Sequence, residues 1–106
     1  MNPLSIRGVA NWEDPEEGPA EIDIIRTDHL SVVVYCFDEG HEMTPHKSER
    51  DMAIYVESGR IVVMNGEGKV EMGPNQFIVI PAGQSRGIEA RERAICLVTQ
   101  SPPETY

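Results

Sequence analysis

The sequence predicts one all-β domain with the architecture of an antiparallel jelly-roll β-barrel. Short apolar runs rich in Val, Ile and aromatic residues alternate with turn-forming residues along the chain. Their spacing of about 8 to 12 residues is typical of sandwiches and barrels. No stretch shows apolar residues at sustained helical spacing. A chain of 106 residues has room for a single domain of this kind.

The chain divides into an N-terminal arm, residues 1–20, and a barrel domain, residues 21–106. The arm combines prolines and glycines with an acidic cluster: Pro3, Gly8, Glu13, Asp14, Pro15, Glu16, Glu17, Gly18 and Pro19. Proline removes a backbone donor and glycine costs more conformational entropy to order. We therefore expect the arm to have irregular structure.

Seven strands are expected after the arm. They cover residues 22–25, 30–37, 52–56, 61–64, 69–72, 77–80 and 94–99. Between the fourth and fifth of these, Asn65 and Gly66 predict a tight hairpin, because both residues tolerate the positive φ of a primed turn. Glycine or proline also marks the other boundaries after residue 37.

Charge and composition exclude several classes of partner. Eighteen acidic and nine basic residues give a net charge of −9, which repels phosphate groups, so nucleic acid and anionic membranes are poor partners. No apolar run is long enough to span a bilayer, and residues 1–9 lack the apolar stretch of a signal peptide. Cys36 and Cys96 lie within apolar runs and are expected to be reduced and buried. These features predict a cytoplasmic, soluble protein.

The small size of the domain favours self-association. A folded chain of this length leaves roughly a third of its unfolded surface exposed, so the stability of a monomer is marginal. Open sheet edges also gain from being covered. We therefore expect a homodimer that forms through the arm or through an edge strand.

Two motifs identify the family that the sequence resembles. Gly40, His46 and Gly59 have the spacing of the first cupin motif, which is Gly, five residues, His, one, His, three, Glu, six, Gly. Pro81 and Gly83 are similar to the end of the strand in the second motif. Over residues 30–98 the chain thus resembles a small single-domain member of the cupin superfamily. The resemblance implies a cupin-like jelly-roll barrel.

The metal-binding positions of these motifs are degenerate. In cupins, two His and one Glu of the first motif and one His of the second bind a divalent metal inside the barrel. The same positions here hold His46, Ser48, Met52 and Arg86. A hydroxyl, a thioether and a guanidinium replace the imidazole and carboxylate ligands that such metals prefer. We therefore expect no cofactor.

A divalent metal with an atypical ligand set is the alternative. His46 would then bind it together with His41 or Cys96, since imidazole and thiolate suit zinc or copper. Otherwise His41 is expected to be an exposed loop residue. His46 is also the sole inward candidate for a general base, because its imidazole titrates near neutral pH.

Arg86 suggests a different kind of site. An inward guanidinium is costly unless an acid or an anionic ligand pairs with it. We predict that Arg86, His46, Ser48 and Met52 bind a small, anionic molecule, with Ile54 and Val79 adding apolar lining. The alternatives are an exposed Arg86 in a loop, a His46 bonded to Ser48 and a Met52 that only fills the core.

Three functions remain open from the sequence. The preferred one is a small-molecule-binding barrel without the usual metal-dependent catalysis. The others are a metal-dependent enzyme of the dioxygenase or isomerase type with an atypical ligand set, and a structural dimeric barrel. What fills the inside of the barrel distinguishes the three.

Overall fold

The computed structural model describes residues 2–12 and 18–103, so the acidic residues of the arm at positions 13–17 lie outside the described residues. In the described part of the chain, one helical turn precedes nine strands. They are α1 (Ile6–Val9), β1 (Ala20–Arg26), β2 (Ser31–Phe37), β3 (Glu42–Lys47), β4 (Asp51–Ser58), β5 (Ile61–Asn65), β6 (Gly68–Met72), β7 (Gln76–Ile80), β8 (Ser85–Ala90) and β9 (Ala94–Ser101). The predicted all-β jelly-roll barrel is confirmed.

The strands form two antiparallel sheets. The large sheet has the order β1-β2-β9-β4-β7, and the small sheet has the order β3-β8-β5-β6. Inner residues alternate with outer ones, as in β4, where Met52, Ile54 and Val56 are buried and the residues between them are not. The inner faces of both sheets meet in one core cluster. Strands β6 and β7 are the edges of their sheets on one side of the barrel.

Two strands, β3 and β8, escaped the sequence prediction. They pair with each other, and a register shift lies between Met43 and His46 of β3. Pro45 sits in this shift and covers Gly87 of β8, where an added Cβ would lie 2.6 Å from the Pro45 Cγ atom. Proline and glycine usually indicate the end of a strand. Here Pro45 and Gly87 contact each other and allow the two strands to approach closely.

The predicted hairpin at Asn65 is confirmed, with a different turn geometry. Asn65 pairs with Gly68 across the β5–β6 turn. The Asn65 Oδ1 atom accepts a hydrogen bond from the Glu67 amide at 2.9 Å. The positive φ falls on Gly68, at 150°, rather than on Asn65 or Gly66. The side chain of Asn65 thus closes the turn by bonding to the backbone two residues on.

The arm packs on the outer face of the large sheet. Ile6, Val9 and Trp12 lie against a buried outer cluster that includes Val34 and Cys36. The Trp12 Nε1 atom donates to a backbone carbonyl of the sheet at 3.3 Å. A helical turn therefore lies within the segment that the sequence led us to expect to be irregular. Within the described residues, no helix has the length and apolar character of a membrane span.

Candidate functional site

The fold brings the four predicted site residues to one end of the barrel, which we call the barrel mouth. His46 and Arg86 are directly opposite each other in the β3–β8 pair, so their side chains lie on the same face of the small sheet. Ser48 follows β3 in the loop to β4. Met52 lies on the inner face of β4. The mouth is therefore the place where the motif positions converge.

Arg86 is the most highly bonded side chain of the mouth. It is 2% exposed. Its guanidinium donates to backbone carbonyls, which are Arg50 O at 2.6 Å, Pro81 O at 3.0 Å, Gln84 O at 3.0 Å and 3.2 Å, and Ser48 O at 3.4 Å. These carbonyls belong to the β3–β4 and β7–β8 loops. One side chain thus ties the two loops together.

The partners of Arg86 are backbone carbonyls rather than an acidic side chain. The exposed alternative is wrong, because the side chain is buried. Its charge meets carbonyl dipoles, and burial is the main cause that lowers the pKa of Arg86, while the charge of Asp51 acts in the opposite direction. Each of the three guanidinium nitrogens donates to at least one carbonyl. The group is stabilised without a ligand.

The other three mouth residues have separate surroundings. His46 is exposed, and its Nδ1 atom lies 3.3 Å from the carbonyl of Thr44. Ser48 is buried, and its Oγ atom accepts from the Arg50 amide at 3.2 Å, so it bonds to the backbone rather than to His46. Met52 is buried within the main core cluster. The interpretation of Met52 as a core residue fits this packing.

A second region, which sequence reasoning missed, holds open space. Two adjoining cavities of about 200 and 350 Å3 share Val70 and Ile78 and lie where the edges β6 and β7 face each other. We call them the β6–β7 groove. Its lining residues are Val63, Asn65, Glu67, Gly68, Lys69, Val70, Glu71, Met72, Asn75, Gln76, Phe77 and Ile78. The groove reaches the mouth, because Asn65 is the register partner of Arg86.

The groove combines an apolar floor with one cation, Lys69, and two carboxylates, Glu67 and Glu71. Val63 and Ile78 belong to the barrel core or pack against it, and Val70 continues this surface outward. Among the described residues, no ion pair involves Lys69. The polar side chains nearby are engaged locally, as in Gln76, whose Oε1 atom accepts from the Gly73 amide at 2.7 Å. Lys69 is thus a lining cation without an ion pair in the described part of the chain, on the strand position next to Val70.

The predicted apolar lining is corrected by the register. Val79 pairs with Ala53 and lies on the outer face of β7, where it is 55% exposed, so it lines no inner site. Ile54 is completely buried and pairs with Ile78 on the inner face. The sequence did not indicate which face of β7 Val79 lies on, because four apolar residues follow one another in this strand.

A family model described as a cupin domain matches residues 33–99. The chain belongs to the cupin family. The resemblance found in the sequence motifs is thus confirmed, and the match covers more than half of this cupin.

Solved structures share the fold over nearly the whole chain. KdgF from Halomonas sp. is 29% identical, with 90% of each chain covered and a TM-score of 0.80. TT1209 from Thermus thermophilus is 25% identical, with 96% of this cupin and 98% of that chain covered and a TM-score of 0.88. SPY1581, a conserved protein of unknown function from Streptococcus pyogenes, is 22% identical, with coverage of 98% and 90% and a TM-score of 0.84. None of the curated proteins matches this cupin.

The residues at the mouth do not fit the divalent metal that the cupin family implies. One imidazole remains among the four positions, the Ser48 hydroxyl bonds to the backbone and the Met52 thioether is packed in the core. The fourth position carries the fixed positive charge of Arg86, which cannot ligate a metal. The donor set therefore lacks the three or four ligands that a first-row metal needs.

The alternative ligands are not brought to His46 either. His41 lies beyond the other end of β3, roughly 16 Å along the strand, and its Nδ1 atom accepts from the Asp38 amide at 3.0 Å. Cys96 is buried in the core, and burial raises the pKa of its thiol to about 12. Within residues 2–12 and 18–103, no three His, Cys, Asp or Glu side chains are grouped as metal ligands.

Proposed function

We propose that this cupin binds a small amphipathic molecule in the β6–β7 groove and that it does so without metal-dependent catalysis. The observation that carries the proposal is the open apolar floor of Val63, Val70 and Ile78 beside Lys69, which forms no ion pair among the described residues. Binding sites for small molecules are concave, largely apolar and supplied with a few polar groups that fix orientation. The groove is concave, and its lining combines five apolar side chains with polar and charged ones.

The chemistry of the groove favours a ligand with a short hydrocarbon body and one anionic head group. The floor removes apolar surface from water, which is worth about 25 cal/mol per Å2. The Lys69 ammonium provides a point charge for the head group. A monoanion suits this single cation better than a polyanion does, since the whole chain has a net charge of −9.

The hydrogen bonds within the barrel mouth also support a ligand in the groove. The guanidinium of Arg86 and the hydroxyl of Ser48 are bonded to backbone groups. A ligand at these atoms would have to displace those bonds and leave carbonyls buried without donors. We therefore place the ligand beside Asn65 in the groove rather than on the four residues that the sequence singled out.

The oligomeric state and the location belong to the same proposal. We expect a homodimer that resides in the cytoplasm. The two cysteines are free and buried on opposite faces of the large sheet, which suits a reducing compartment. The acidic surface favours neither nucleic acid nor anionic lipid as a partner.

The test is an amide NMR titration with two probes of equal size, hexanoate and hexanamide. Hexanoate is expected to shift the resonances of Val63, Val70 and Ile78 in a saturable way. Hexanamide has the same body without the charge, so it should bind several-fold more weakly. The chain has two lysines, and this provides a matched pair of variants. Lys69→Met should weaken hexanoate about three- to tenfold, whereas Lys47→Met on the exposed strand β3 should not.

Two outcomes would contradict the proposal. Shifts centred on His46 and Ser48 would return the ligand to the mouth. The absence of saturable shifts with either probe would favour a barrel with a structural role only.

A further inference from the structure

We infer that the ligand of the β6–β7 groove is the C-terminal end of an extended peptide, which adds to β6 as an antiparallel strand and places its terminal carboxylate beside Lys69. The inference rests on the proposed function, because it names the class of ligand for the same groove. The peptide has apolar side chains at its last and third-from-last positions.

Strand β6 has backbone groups that are free to pair on its open side. The β5–β6 turn has two residues and closes on the pair Asn65 and Gly68, and a closing pair of this kind exchanges both of its backbone hydrogen bonds. Bonded and non-bonded pairs alternate along an antiparallel ladder, so Lys69 and Glu71 direct their N–H and C=O groups away from β5. Within the described residues, no other element bonds to these groups.

The two cavities of the groove match the spacing of alternate side chains in a strand. Peptide residues opposite Gly68 and Val70 point toward the barrel, because they lie on the same face of the sheet as these two residues. The cavities, of about 200 and 350 Å3, meet at Val70 and Ile78. Side chains two positions apart are separated by roughly 7 Å, so one can fill each cavity. A simple hydrocarbon chain would leave the edge of β6 unpaired.

Gly68 leaves room for the last side chain of the peptide. Apart from its chain neighbours, no atom lies within 4 Å of a Cβ atom added at Gly68. Gly68 lines the smaller cavity together with Val63 and Ile78. An apolar side chain placed there removes both its own surface and this floor from water. We therefore expect a valine or leucine at the last position.

Strand β7 forms the opposite wall of the groove. Its five residues include neither a charge nor a proline. Phe77 and Ile78 line the larger cavity, and Phe77 is 71% exposed. A long apolar side chain, such as leucine, is therefore expected at the third-from-last position.

The charges of β6 determine the direction of the peptide. An antiparallel strand ends opposite Gly68, one position from Lys69, whereas a parallel strand would bring its N-terminus there. The flexible stem of Lys69 lets its ammonium reach the terminal carboxylate. Glu67 and Glu71 also line the groove, and the chain has a net charge of −9. Acidic side chains in the peptide are therefore disfavoured.

The experiment is an amide NMR titration of the full chain with the peptide acetyl-Thr-Leu-Thr-Val, which has a free terminal carboxylate. It should shift the resonances of Lys69, Val70 and Glu71. It should also bind more than about tenfold more tightly than hexanoate, because it adds backbone hydrogen bonds and a second apolar side chain. The C-terminal amide of the same peptide should bind about three- to tenfold more weakly. Equal binding of the acid and the amide would overturn the placement of the carboxylate at Lys69.

A permuted peptide is the matched control. Acetyl-Leu-Thr-Val-Thr has the same composition, but a shift of one residue turns its apolar side chains away from the barrel. It should bind at least about tenfold more weakly than acetyl-Thr-Leu-Thr-Val. Equal affinities would overturn the assignment of the two cavities to alternate side chains.

Two ester analogues test the backbone pairing. The residue before the last is opposite Lys69, so an ester in place of its N–H group removes a hydrogen bond to β6. This change should weaken binding about three- to tenfold. An ester in place of the preceding N–H group, which points away from β6, should retain most of the affinity. Equal losses in the two analogues would overturn the addition of a strand to β6.

The comparison with hexanoate separates this inference from the proposed function. If hexanoate binds in the groove and acetyl-Thr-Leu-Thr-Val binds no more tightly, the peptide inference is wrong and the proposed function stands. If neither compound causes saturable shifts, both are wrong. Peptide shifts centred on the other edge strands, β1 or β3, would overturn the inference as well.

Discussion

The barrel mouth and the β6–β7 groove lie side by side and differ in how their polar groups are used. At the mouth, Arg86 donates to four carbonyls and Ser48 accepts from a backbone amide. In the groove, Lys69 has no ion pair among the described residues, and Val70 faces open space. The positions of a family motif can therefore serve the fold while the space for a ligand lies elsewhere.

The difference has a structural cause. The mouth is closed by two loops whose carbonyls point at one buried cation, so its charges and dipoles are satisfied internally. The groove lies between two strands that are edges of different sheets, and no ladder joins them. Edge strands leave surface that a ligand or a partner can cover.

The largest expected change in stability concerns Arg86. Arg86→Ala should lower the free energy of unfolding by about 3 to 5 kcal/mol, because it removes charge-assisted bonds and leaves buried carbonyls without donors. Urea unfolding measures this change. Arg60→Ala is the matched control, since its exposed ion pair with Glu71 is worth less than about 1 kcal/mol. Equal losses in the two variants would show that Arg86 does not tie the loops.

A smaller effect is expected at Ser48. Ser48→Ala removes the acceptor for the Arg50 amide, so it should cost about 1 kcal/mol of stability. It should leave the affinity for hexanoate unchanged, because the residue lies outside the groove lining. If Ser48→Ala had the stability of the wild type but bound hexanoate more weakly, Ser48 would contact the ligand.

The smallest effect concerns the thiol of Cys96, whose pKa is raised from 9.0 to about 12 by burial. The unfolded thiol loses its proton near pH 9, whereas the folded thiol keeps it. The contribution of this thiol to the free energy of unfolding is therefore fully present below about pH 9, and it declines between about pH 9 and 12. Near pH 10 the loss should be about 1 kcal/mol. Cys96→Ala should show a shallower decline than the wild type in urea unfolding at several pH values, and parallel declines would contradict this assignment.

Much of the fold could be predicted from the sequence because it depends on local patterns. Apolar runs and turn residues placed seven strands, and Asn65 placed the hairpin. Strands β3 and β8 were missed because Pro45 and Gly87 are breakers in sequence and become partners only when the strands pair. The motif spacing located the mouth, which the structure assembles from His46 and Arg86 in register.

The chemistry of the site was harder to predict. The partners of Arg86 are backbone carbonyls, and a carbonyl leaves no signal in the sequence. The groove exists because β6 and β7 are edge strands of different sheets and do not pair with each other. The residues of the two strands do not indicate this arrangement. The face of Val79 could not be chosen either, since apolar residues surround it in β7.

The central claim is that Arg86 holds the barrel together and does not bind the ligand. Its most direct test is the affinity of folded Arg86→Ala for hexanoate, measured by the same amide NMR titration. We expect an affinity equal to that of the wild type, despite the lower stability of the variant. Loss of hexanoate binding with unchanged stability would contradict the account and make Arg86 the anion-binding residue.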